Sequence, residues 1–167
     1  DLSPFGEKYQ DSANAGNLDL IAALEWIRDN IEGFGGDPEN VTLFGQSGGG
    51  VKVWSLLQMP EADGLFHKGI IESGVVDPDL LGDIEDGNGR EIVKAMLVEL
   101  GLEEKDVDQL ETLPYDQLAQ AYENAAPKVA QKGEYVGNHP HKNQSYFGDA
   151  IKHGFREETK KIPLLIG

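Results

Sequence analysis

Cysteine is absent from the 167 residues, which excludes disulfides, thiolate metal sites and a cysteine nucleophile. Basic side chains are scarce. Fourteen Lys and Arg against 30 Asp and Glu leave a formal net charge of −16. A field of that sign repels phosphate backbones and anionic lipid, so neither nucleic acid nor a membrane surface is expected as a partner. No run of about 18 apolar residues occurs, and nothing in the sequence reads as a membrane-spanning helix. Internal repeats and low-complexity linkers are also missing. What is present is 39% hydrophobic, enough for a globular core, and includes 21 glycines.

One cluster of those glycines carries information. Phe34–Gly50 reads FGGDPENVTLFGQSGGG and places Ser47 inside Gly45-Gln46-Ser47-Gly48-Gly49. The apolar run Val41–Phe44 before it reads as a short buried strand, and Gly49 to about Leu57 as a helix. A serine on a sharp turn between strand and helix presents its hydroxyl to solvent on a strained backbone that flanking glycines accommodate. Serine needs an adjacent base to become a nucleophile, and the tetrahedral intermediate needs N–H donors. The residue after the serine supplies one donor through its backbone, which makes Gly48 the expected oxyanion-hole residue beside the nucleophile Ser47. Gly49 and Gly50 are expected to let the helix pack close to the strand.

The rest of the chain follows an alternating pattern. Leu20, Leu24, Ile27 and Ile31 predict a helix, with Asn17 or Asp19 as N-cap and Gly33 as terminator. Asp37-Pro38-Glu39-Asn40 fits a type I turn. Phe66–Ser73 reads as a second strand and Ile162–Ile166 as a third. Between them the chain is acidic at Asp77, Asp79, Asp83, Glu85 and Asp86, then helical over Ile92–Leu100 and roughly Tyr115–Ala125. Residues 127–150 read as extended loop. Helix–strand alternation predicts an α/β class with about three mostly parallel strands, flanking helices and a helical, lid-like insertion.

Phe34-Gly35-Gly36, four residues, then Val41-x-Leu43-x-Gly45-x-Ser47-Gly48-Gly49 resembles the serine signature of type-B carboxylesterases, an α/β-hydrolase family. Further segments are similar to it: Asn14–Asp19 with Ala22–Ile31 before the elbow, Gly64–Lys68 and Glu72-Ser73-Gly74 at the next strand, and the closing Ile162–Gly167. The QSGGG form resembles the bacterial, para-nitrobenzyl esterase-like branch. Val75 departs from the small residue often found after Ser-Gly. The resemblance implies a partial α/β-hydrolase domain over 1–167, with an elbow region at 1–76, an insertion at 77–150 and a return to the sheet at 151–167.

By the same resemblance, the chain order is Ser, then Glu or Asp, then His, with the acid following the Ile162–Gly167 strand and the other oxyanion donor upstream of Asp1. The expectation is therefore an internal piece of a longer esterase, inactive alone, acting on small-molecule carboxylic esters through an acyl-serine and needing no cofactor or metal. None of the four histidines is assigned the base. His67 is expected to pack or cap at the start of a strand; His139 and His141 flank Pro140 without partners for a metal; His153 is expected to be solvated. The acids at 77–118 read as a solvated face. Because a parallel sheet needs cover on both faces, self-association or a complementing segment is expected. A non-catalytic interaction protein on the same fold, or a lipase, amidase or thioesterase, is the alternative reading.

Overall fold

A computed structural model describes residues 1–75, 77, 89–137 and 139–167. The acidic positions Asp79, Asp83, Glu85 and Asp86 lie outside the described residues. The chain divides into two compact units: Asn14–Asp83 with Lys142–Gly167, and Asp1–Ala13 with Ile84–His141.

The first of these holds the sheet. Helix α1 (Ala15–Asn30) buries Asn17, Ile21 and Leu24 at helical spacing, while Leu20 lies towards solvent. The apolar face is therefore one residue round from the Leu20–Leu24 line that spacing suggests, because Ile21 and Leu24 sit in the core with Leu18 and Ile27 against them. The helix starts earlier than Asn17 or Asp19 would cap it, with Asn14 at the N-cap position. It runs on into a 3-10 turn at Ile31–Phe34, and Gly35, not Gly33, closes it at φ 82°. The predicted turn forms, with the Asn40 N–H donating to the Asp37 carbonyl at 3.1 Å.

Strands β1 (Thr42–Gln46), β2 (Lys68–Glu72) and β3 (Leu164–Ile166) form one parallel sheet in that order. The register sets Phe44 beside Ile70 and Ile70 beside Leu165. Helix α2 (Gly48–Leu56) lies against β1 and β2 and buries Val53, Trp54 and Leu56. Leu57, Met59 and Ile71 are fully enclosed. Burial of side chains of this size contributes about 1.5–3 kcal/mol each. The row on the opposite side of the sheet is open, with Phe44 77% and Leu165 67% exposed.

The other unit is built on α3 (Arg90–Glu99) and α4 (Tyr115–Ala130), which pack through Ile92, Ala125 and Val129. A 3-10 segment, Glu104–Glu111, opens with a capping box formed by Glu103 and Asp106. Helix α4 continues past Ala125 through Pro127. Proline is tolerated there because it removes only one hydrogen bond in the last turn. The short helix α5 (Ala150–His153), in the sheet-bearing unit, is capped by Asp149, whose Oδ1 accepts from the Ile151 N–H at 2.7 Å.

Candidate active site

Ser47 occupies the single residue between the end of β1 and the start of α2, at φ 51° and ψ −119°. A non-glycine residue held there costs on the order of 1–3 kcal/mol and persists only when its surroundings over-determine it. They do so in two ways. The Ser47 N–H donates to the Glu72 carbonyl of β2 at 2.8 Å, and the Ser47 carbonyl accepts from Val51 at 2.9 Å, closing the first turn of α2. The glycines then remove every side chain that would push the turn apart. A Cβ on Gly45 would lie 2.4 Å from the Gly49 carbonyl group.

Ser47 and Gly48 are both solvent-exposed at the carboxyl end of the sheet. The Gly48 N–H belongs to the first turn of α2, whose N–H groups have no intrahelical acceptor and carry the positive end of the helix dipole. The structure thus brings together an exposed hydroxyl and an adjacent N-terminal donor. Among the glycines, the close packing falls to Gly45 and Gly50. Gly49, expected to share that role, has open space where a Cβ would be.

One neighbour was not singled out from sequence as part of the site. Ser73, directly after β2, also has positive φ, at 50°, and the Ser73 N–H donates to the Gly167 carbonyl next to β3. The two strained serines follow adjacent strands. The signal for the second was the run Glu72-Ser73-Gly74, which repeats the strand, serine, glycine order of the elbow.

The histidines separate cleanly. His67 accepts from the Val41 N–H through Nδ1 at 3.2 Å, and its own N–H donates to the Val41 carbonyl. It therefore caps the amino end of β1, and at about 3.3 Å per residue it lies about 20 Å along the strand from Ser47. His141 is buried against the edge of Tyr135, and burial pushes its pKa down to about 4. His153 ends α5 and is exposed, while His139 is half-buried and its main-chain N–H donates to the Tyr135 hydroxyl at 2.7 Å. Among the described residues no group of three or more His, Asp or Glu could hold a metal ion, and no helix is long and apolar enough to cross a membrane.

A parallel sheet with a helix packed on one face, and a strained serine turn between its first strand and that helix, defines part of an α/β-hydrolase fold. The chain belongs to the carboxylesterase family, whose model matches residues 6–167. The para-nitrobenzyl esterase of Bacillus subtilis (strain 168) is 42% identical over 176 residues, taking in 99% of this chain and 33% of that protein. An esterase from the anaerobe Clostridium hathewayi, described as able to hydrolyse aliphatic aromatic polyesters, is 53% identical with a TM-score of 0.94, over 100% of this chain and 33% of its own. A thermophilic pNB esterase matches with a TM-score of 0.78 at 37% identity, over 99% of this chain and 33% of its own. The chain spans about a third of the length of these relatives.

Proposed function

We propose that the chain carries the nucleophile of a serine carboxylic-ester hydrolase. The observation that supports this most is the backbone of Ser47, held at positive φ between β1 and α2, with glycines where neighbouring backbones meet. In this reading the Ser47 Oγ attacks the ester carbonyl carbon as its proton passes to a general base. The carbonyl electrons move onto oxygen, and the Gly48 N–H is placed to receive that negative charge. The intermediate then collapses, the alkoxide leaves as the alcohol with a proton from the same base, and an acyl-serine remains. Water repeats the sequence and releases the acid. No histidine of this chain is assigned the base, and His67 is at the wrong end of the sheet to serve.

The substrate class this supports is a small carboxylic ester. A non-catalytic role is disfavoured because nothing in a purely adhesive surface requires a strained serine. The test is covalent: with the segments that supply the base and acid present, a fluorophosphonate probe is expected to label Ser47, with labelling abolished by Ser47→Ala. Equal labelling of Ser47→Ala would overturn the assignment. The partner reading rests on the open row Phe44–Ile70–Leu165, which supports self-association or coverage by a complementing segment.

A further inference from the structure

The fold does not require glycine at the two positions that open α2. Gly45, Gly50 and Gly74 each let two stretches of backbone meet, and Gly35 holds a positive φ. Gly48 and Gly49 do neither. Their φ values are not positive, both residues are exposed, and a Cβ on either would find nothing within 4 Å. Alanine would favour the helix at both positions, since glycine gives up more backbone freedom on folding. What the fold leaves unexplained at Gly48 follows from the group that has to approach it.

The N–H groups of a first helical turn point towards the amino end of the helix, and each Cα–Cβ bond leans the same way. A side chain at position 48 would therefore tilt to the side on which the Gly48 N–H meets its acceptor. An oxygen accepting from that N–H stands about 2.9 Å from the nitrogen. The carbon bearing this oxygen is the one that Ser47 Oγ attacks, so the groups attached to it pass beside the bare Gly48 Cα. Of those groups, the alcohol departs after the first half of the reaction, while the acyl group stays bonded to Ser47 through both halves. The room left by the missing Cβ is room for the acyl group, next to its carbonyl carbon.

We propose that Gly48 is a specificity-determining residue whose missing side chain admits esters with an acyl group branched at the carbon next to the carbonyl. The proposal rests on the reading of Ser47 as nucleophile and names the substrate class within it. The test uses the esterase with the segments that supply the base and acid present, as parent and as Gly48→Ala, on p-nitrophenyl acetate and p-nitrophenyl pivalate. The readout is the ratio of kcat/KM for the two esters, which cancels any loss common to both. The parent is expected to turn over the pivalate. Gly48→Ala is expected to shift the ratio towards acetate by about tenfold or more, the usual worth of one methylene-sized group in a pocket. The ratio for ethyl and isopropyl acetate, which differ only in the alcohol, is expected to stay as in the parent. An unchanged acetate-to-pivalate ratio, no turnover of pivalate by the parent, or an equal shift between the two alcohols would each overturn the proposal and leave Ser47 standing. A lowered urea midpoint for Gly48→Ala would overturn it too, since other backbone would then fill the space. Acetate hydrolysis that survives Ser47→Ala would instead sink the nucleophile reading, and this proposal with it.

Discussion

Gly50 in α2 and Gly74 after β2 meet backbone to backbone: a Cβ on Gly74 would lie 2.4 Å from the Gly50 Cα, and one on Gly50 2.8 Å from the Gly74 Cα. Neither atom can be accommodated without moving main chain. This contact seats the elbow helix on the turn that follows the second strand, and with Gly45 it sets the backbone of Ser47.

Alanine at these positions should separate the glycines by role. Gly50→Ala, Gly74→Ala and Gly45→Ala are expected to destabilise by about 1–3 kcal/mol or more, the usual cost of overpacking. Gly48→Ala and Gly49→Ala have open space at the Cβ position. They are expected to change stability by less than about 1 kcal/mol, in the favourable direction that alanine has over glycine in a helix. Urea unfolding of the five variants checks this, and a large loss at Gly48→Ala would contradict it.

Residues 1–13 are tied to the Glu104–Glu111 segment by Tyr9, whose hydroxyl lies 2.7 Å from carboxylate oxygens of both Asp108 and Glu111, with Lys8 Nζ 2.9 Å from each. The Tyr9 hydrogen bond, and then that of Lys8, holds both carboxyls below their ordinary pKa. Lowered folded values mean that this tie is in full force above the ordinary carboxylate range and is lost as pH falls through the lowered values. Tyr9→Phe is therefore expected to raise both pKa values. Carboxyl carbon shifts followed by NMR through the acid range measure them, and unchanged values would sink the assignment. Tyr9 itself, pushed up to about 12 chiefly by burial, stays a neutral donor at neutral pH.

His141 gives a second pH dependence of the same sign. Burial lowers its pKa to about 4. The unfolded chain takes up the proton near pH 6.5, and the folded chain resists until about 4. Stability from this group is fully present above 6.5 and lost between those values. An imidazole proton NMR titration should show His141 neutral at pH 5.5. A midpoint near 6.5 would mean that the ring is solvated.

The open face of the sheet makes a fourth prediction. Phe44→Ser with Leu165→Ser removes two large exposed apolar side chains from one row. The parent chain is expected to elute from a sizing column as associated species in a concentration-dependent way, and the double variant to shift towards monomer. A parent that stays monomeric at high concentration would count against association through this face.

Much of the elbow was legible because it rests on local constraints. Val41-Thr42-Leu43-Phe44 before Gly-x-Ser-x-Gly can hardly form anything but strand and turn, and the Asp37–Asn40 turn follows from proline fixing one dihedral. The face of α1 was not readable to the residue, since Leu20 and Ile21 are both apolar and only the packing of α2 chooses between them. The extension of α4 past Pro127 was hidden for a similar reason: propensity disfavours it, and the contact with α3 overrides propensity.

The sequence by itself determined the family, the serine at the turn and the α/β class, because a rare pattern of glycines, apolar run and serine has few physical uses. The tertiary structure alone decided which glycines are indispensable, that Glu72 receives the Ser47 N–H, and that His67 sits at the far end of the strand. Most of these depend on contacts between residues far apart in the chain, such as Ser47 with Glu72 and Gly50 with Gly74, and no local preference records where such partners come to rest.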